Sequence, residues 1–303
     1  MEINSEDFNS NYRFLRRSNE LAVGDWDLYK RLDNNEKLLV KEIQFYDEGE
    51  AKFFIQGILE TSSIKNLQGC LLKFEGYTIK NLYISGQYSL SVFLIYENYE
   101  NSLDKLNSQK IKDSESFTPN GLYVLTRRII KIMAAVEKAG CRHGDIRLGN
   151  IILGDSGRLD DVKLLWVPFG KRIVELSLVV KENLLKLFNY SPEVLTAFNA
   201  LRKQKDRMTS FRVAEEGIDY LKADVYSLAI MILRLFCLYT NDNFYDFHGM
   251  NGFAKTNTKK VEKVLLSLHQ LNSRLAVLLN QCLIHDVKSR PSFCDLDAVL
   301  GND

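Results

Sequence analysis

Residues 141–153 read CRHGDIRLGNIIL. His143, Asp145 and Asn150 stand in the spacing H-x-D-x-x-x-x-N, immediately before an apolar Ile151-Ile152-Leu153 run of β character. Just upstream, residues 121–139 place Leu122, Leu125, Ile129, Ile132, Met133 and Val136 on one apolar stripe, which predicts an amphipathic helix. Gly140 follows as its C-terminal cap, since glycine enters the left-handed region without a steric cost.

Outward from this loop the chain changes character. The first hundred residues alternate short apolar runs with turns, as in residues 37–45 (KLLVKEIQF), 71–74, 82–84 and 91–96 (SVFLIY), and predict an antiparallel sheet. One helix interrupts them at residues 48–61, with Phe53, Phe54, Gly57 and Ile58 on one side and the two aromatics assigned to the core. After Asn98 the pattern is helical, with residues 225–239 and 261–284 as long central helices. The fold class is α+β: a polar extension at 1–20, a strand-rich lobe with one helix at 21–98, and a larger helical lobe at 99–303. Within the latter, residues 199–222, which contain RKQKDR, read as a surface insertion.

The chain has 303 residues, 40 Lys+Arg against 39 Asp+Glu, and a net charge of +1. That balance gives no general attraction to nucleic acid or to an acidic membrane surface. Five cysteines, an odd number without a C-x-x-C pair, indicate neither a disulfide framework nor a zinc site, and so a reducing compartment. Residues 1–20 contain no apolar stretch of the kind a signal peptide needs. The most apolar run, 225–239, is too short to span a bilayer and carries Arg234. A cytoplasmic protein is expected.

The loop at 141–153 resembles the catalytic loop of the protein kinase superfamily. The resemblance implies a bilobal kinase-like fold in which Asp145 is the base that accepts the proton of the attacking hydroxyl. It makes Asn150 a metal ligand and Arg147 the cation that screens the moving phosphoryl group. Other blocks follow in the family's order. Tyr190-Ser191-Pro192-Glu193 resembles the A-P-E that closes the activation segment, and residues 222–229, KADVYSLA, resemble the opening of the central helix of the large lobe. Residues 275–292, LAVLLNQCLIHDVKSRPS, resemble the last block with its Asp-x-x-x-Arg-Pro. The likeness spans about residues 21–300, and it implies a buried Glu193–Arg290 pair and an Asp224 that ties down the loop near His143.

In the small lobe, residues 38–43 (LLVKEI) resemble the V-A-I-K strand and make Lys41 the candidate for the nucleotide phosphates. Three parts of the family's machinery are missing. Its helix glutamate falls on Ile55 or Gln56. Its phosphate-binding glycines fall on Leu21, Val23 and Trp26, with only Gly24 nearby, although backbone N–H groups can approach phosphates closely only where side chains are absent. The metal-binding Asp of Asp-Phe-Gly falls on Trp166, or on Pro168 when Phe169-Gly170 is aligned. Magnesium needs anionic oxygen to compete with its hydration shell. Asp160 and Asp161 lie four or five strand residues away, roughly 13–16 Å at about 3.3 Å each, which leaves Glu175 as the one substitute.

The resemblance therefore implies ATP as the nucleotide but argues against Mg²⁺, and points to a pseudokinase that works through a protein partner. Two alternatives are an active, divergent Ser/Thr kinase, which the intact Asp145, Arg147 and Asn150 favour, and a small-molecule phosphotransferase, which H-G-D in place of H-R-D favours.

Overall fold

The computed structural model describes residues 1–17, 27–45, 47–84, 87–99, 101–141, 143–144, 146–154, 157–165, 189–196, 218–237, 244–248 and 253–301. Gly24, Asp145, Trp166, Pro168, Glu175 and residues 199–217 of the basic stretch lie outside them. The chain is α+β and divides into two compact units. Unit 1 joins Met1–Leu106 to Leu148–Gly170, and unit 2 joins Asn107–Arg147 to Lys171–Asp303.

Unit 1 begins with α1 (Ser5–Asn11), followed by β1 (Tyr12–Arg17), β2 (Asp27–Arg31), β3 (Lys37–Phe45), α2 (Glu48–Ser62), β4 (Phe74–Ile84) and β5 (Gln87–Glu97). The strands form one antiparallel sheet in the order β1-β2-β3-β5-β4. Both faces are covered, which is why Leu38-Leu39-Val40 of β3 and residues 92–96 of β5 read as continuous apolar runs rather than as alternation. On one face Leu38, Val40 and Ile95 pack under Phe8 of α1. On the other, Leu39, Phe45, Val92, Leu94 and Tyr96 meet Ala51, Phe54, Ile55 and Ile58 of α2.

Residues 1–17, read from the sequence as part of a polar extension, are a working part of this unit. Asn4 caps α1 by accepting from the Glu6 N–H at 2.9 Å. Phe8 is 1% exposed and stacks on Tyr12 with ring centroids 4.9 Å apart. Burying one phenylalanine contributes roughly 2–3 kcal/mol, enough to hold a short helix whose other residues are polar. The segment also runs along the β4 edge: Ile3 N–H donates to the Tyr77 carbonyl at 2.7 Å, and Tyr77 N–H donates to the Met1 carbonyl at 3.1 Å. Gly76 permits this, since a Cβ there would lie 2.6 Å from the Met1 oxygen.

The chain re-enters unit 1 through a hairpin of β6 (Ile151–Leu153) and β7 (Val162–Leu164). Backbone hydrogen bonds stitch the hairpin in on both sides: Leu153 N–H to the Asn101 carbonyl at 3.0 Å, and Leu72 N–H to the Leu164 carbonyl at 2.8 Å. The unit therefore extends beyond residue 98, the boundary read from the sequence. Between its two segments, α3 (Leu103–Lys112) carries the chain into unit 2.

Unit 2 is built on α4 (Pro119–Lys138), α5 (Tyr220–Cys237), α6 (Thr258–Leu271), α7 (Ser273–Cys282) and α8 (Phe293–Leu300), with a small hairpin of β8 (Tyr245–His248) and β9 (Phe253–Thr256). The α4 stripe is buried from Leu122 to Val136. Thr118 caps its start and Gly140, at φ +71°, ends it. α5 is buried on almost every side. No helix among the described residues is long and apolar enough to cross a membrane.

Two further expectations are corrected. The single helix read at 261–284 is broken at Asn272, whose extended backbone ends α6 and whose side chain caps α7 by accepting from the Leu275 N–H at 2.9 Å. Phe53, assigned to the core, is 56% exposed. It falls outside the stripe Ala51-Phe54-Ile55-Ile58 that α2 turns to the sheet.

Candidate functional site

The loop after α4 is held from several directions. His143 is buried, and Gly144 adopts a left-handed φ of +78° that aims its N–H at Asp224 Oδ2, 2.5 Å away. Asp224 is itself buried, so this charge-assisted bond clamps the loop to the first turns of α5. Further along, the Ile146 carbonyl accepts from Asn189 Nδ2 at 3.2 Å, and Asn189 Oδ1 accepts from Arg234 Nη1 at 3.3 Å. Sequence reasoning assigns Asn189 no role and reads Arg234 only as a charge that argues against a membrane span. An arginine inside the otherwise apolar α5 was the available signal, because such a charge needs a specific partner.

Arg147 is half-buried at the end of this stretch of unit 2. Asn150 closes a turn of 3₁₀ helix, Leu148–Asn150, in unit 1, where it is buried and its carbonyl accepts from the Leu165 N–H at 2.9 Å.

Glu193 and Arg290 meet in unit 2. Arg290 is fully buried and donates to Glu193 Oε1 at 2.7 Å and Oε2 at 3.2 Å, a two-pronged pairing. Its remaining donors reach the carbonyls of Ile284, Lys222 and His285, and its guanidinium lies 5.0 Å from the Tyr226 ring centroid. A buried guanidinium is tolerable only when its donors are satisfied in this way.

In unit 1, Lys41 lies mid-strand in β3, opposite Leu94, and is half-buried. Strand alternation puts it on the face of Leu39 and Phe45, the face that α2 covers. Ala51, Phe54, Ile55 and Ile58 of α2 pack there. Ile55, one of the two positions that fall where the family has its helix glutamate, is buried among them; Gln56, the other, is exposed and donates to Glu60 at 2.8 Å.

That same face also carries a buried cluster. Leu28 of β2, Leu39 of β3, Tyr96 of β5, Ile152 of β6 and Leu165 beyond β7 belong to one packed cluster, and none is more than 6% exposed. Burial pushes the Tyr96 phenol well above its ordinary pKa. At the margin of the cluster, Lys163 pairs with Glu97 at 2.8 Å and lies 4.9 Å from the Tyr99 ring centroid. Desolvation pulls the Lys163 pKa down, but Glu97 and Tyr99 outweigh it and leave it raised.

The donors for a metal are few. Among the described residues no three of His, Cys, Asp and Glu come together in a way that could hold an ion. Asp160 is engaged by Arg158 at 2.6 Å, and Asp161 lies at the far end of the β6–β7 hairpin, where its carbonyl accepts from the Gly154 N–H. The side chain of Asn150 offers a neutral oxygen, a poor substitute for carboxylate with a hard cation. No family model matches the chain, and no curated protein matches it.

Proposed function

We propose that the chain is a protein-kinase-like module that performs no metal–ATP chemistry, a pseudokinase acting inside the cell by binding a protein partner. The observation that carries this reading is the buried cluster of Leu28, Leu39, Tyr96, Ile152 and Leu165. It occupies the sheet face that bears Lys41, beside the strand that Asn150 opens, which is where a kinase-like arrangement would seat the base and sugar of ATP. A small-molecule site needs an open volume of about 300 Å³ or more, and these five side chains are buried in one cluster there. The missing carboxylate at Trp166 or Pro168 and the apolar Ile55 point the same way. Phosphoryl transfer depends on positioning and electrostatics, so a loss of several of these parts together removes the reaction rather than slowing it modestly.

The second reading, an active divergent Ser/Thr kinase, draws on the well-supported loop: Gly144 clamped by Asp224, Ile146 held by Asn189, and Asp145, Arg147 and Asn150 retained. The small-molecule phosphotransferase has less behind it, since the Glu193–Arg290 pair accords with a large lobe of the protein-kinase type. Incubation of the purified chain with radiolabelled ATP and Mg²⁺ or Mn²⁺ separates the readings. The pseudokinase leaves wild type and Asp145→Asn equally unlabelled, with no label in a generic substrate. Labelling that Asp145→Asn abolishes would establish an active kinase.

A further inference from the structure

β1 is the outermost strand of the unit 1 sheet: β2 pairs with one of its sides, and no strand among the described residues pairs with the other. The register shows which of its backbone groups face that open side. Asn11 and Leu32, the pair next to Tyr12 and Arg31, are joined by the Leu32 N–H donating to the Asn11 carbonyl at 2.8 Å, whereas the Arg31 N–H turns to the Glu36 carbonyl just before β3. Pairs in an antiparallel ladder alternate between bonded and non-bonded. Arg13 is therefore bonded to Lys30, while Tyr12 and Phe14 aim their N–H and C=O groups away from β2. α1 takes up the first of these donors, since the Tyr12 N–H reaches the Phe8 carbonyl. The Tyr12 carbonyl and both groups of Phe14 line the open edge.

The two faces of β1 differ in chemistry. Arg13 stands opposite Lys30, and Lys30 opposite Lys37, so three basic residues form one row across β1, β2 and β3. Like charges set directly opposite one another are unfavourable. The row ends at the open edge with Arg13, which is exposed. On the other face Phe14 is 48% exposed and meets Tyr29 edge to face, with ring centroids 5.5 Å apart. A strand laid along this side would place the residue opposite Phe14 on the aromatic face and that residue's neighbours on the face of Arg13. Charge on an edge strand commonly keeps other strands away. Here the row has one sign, so it repels a second copy of β1, which brings its own arginines, and admits a strand of opposite charge.

We propose that β1 takes up an extended acidic segment of a partner protein as an added strand, with an apolar side chain against Phe14 and an acid on either side of it, beside Arg13 and its row. In strand addition the main-chain hydrogen bonds supply affinity and the side chains select the partner. The register shift between Phe14 and Arg16 keeps the paired stretch short. The inference gives the interaction-module reading a partner class and rests on that reading for its biological sense.

The test is fluorescence anisotropy at low salt, with the full chain titrated into a labelled peptide of about seven alternating glutamates and valines. Saturable binding is expected, with slowed hydrogen exchange at the Phe14 amide. Arg13→Glu should weaken it about tenfold, as should lysine in place of glutamate in the peptide. N-methylation of the valines keeps the charge but removes the donors aimed at β1, and should weaken binding about tenfold or more. N-methylation of the glutamates, whose N–H groups would point to solvent, should not. Arg13 and Phe14 are exposed, and unchanged thermal melts of Arg13→Glu and Phe14→Ser would show that the fold is retained. Absence of binding, binding that Arg13→Glu leaves intact, or an equal response to the two methylated peptides would overturn the proposal. So would a dimer of the chain alone that Phe14→Ser dissociates, which would assign the edge to a second copy. A failure of strand addition leaves the nucleotide prediction standing, and a metal-dependent response to ATP would leave the β1 edge standing.

Discussion

Arg290 is the residue on which the geometry of unit 2 turns. It is buried, it holds Glu193 with two nitrogens, and it ties three carbonyls from two separate stretches of chain, Lys222 in one and Ile284 and His285 in the other. Such a pair adds little net stability over a hydrophobic substitute, but removing one side strands a buried charge. Glu193→Ala is therefore expected to destabilise the protein by about 3–5 kcal/mol, read from the shift of the urea midpoint of the transition that reports unit 2. A loss below about 1 kcal/mol, the scale of an exposed pair, would show that the pair is solvated. This contact was legible in the sequence because Ser-Pro-Glu and Arg-Pro sit in recognisable blocks. Its carbonyl partners were not, since nothing local marks Lys222 or Ile284 as neighbours of Arg290. The same holds for the buried cluster: Leu39 and Tyr96 read as strand residues, and only the sheet brings them against Ile152 and Leu165.

At the scale of elements, long periodic segments were readable and polar or interrupted ones were not. The α4 stripe and its Gly140 cap follow from spacing alone. α1 escaped because one phenylalanine among polar residues carries no period, and its burial depends on Tyr12, Tyr29 and Phe93 from three strands. The break at Asn272 escaped because the apolar period runs on across it; the cap hydrogen bond outweighs continuity of the helix. α8 gives a prediction of its own. Its capping box joins Ser292 and Asp295, and the hydrogen bonds from the Ser292 backbone and side chain hold the Asp295 carboxyl below its usual pKa. A carboxyl with a lowered native pKa adds stability above its unfolded value of about 3.9, and that stability is lost as pH falls through the native value. Thermal melts should show Asp295→Asn less stable than wild type at pH 6, with the difference shrinking towards pH 3. A difference independent of pH would remove the carboxylate from the account.

For the whole molecule, the two units carry different parts of the reading. Unit 2 keeps the braced loop and the buried pair that accord with a kinase-like large lobe, while unit 1 has Lys41 on the face that carries the buried cluster. On the proposed reading, the chain keeps a scaffold that presents a surface to a partner and moves no phosphoryl group. The central claim is tested most directly by thermal denaturation of the purified chain with ATP, in the presence and absence of Mg²⁺. A ligand specific for the folded state contributes about 2.7 kcal/mol at a hundredfold excess over Kd, a rise of several degrees for a chain of this size. The account predicts the same melting temperature with ATP, with ATP and Mg²⁺, and with neither. A metal-dependent rise would contradict it.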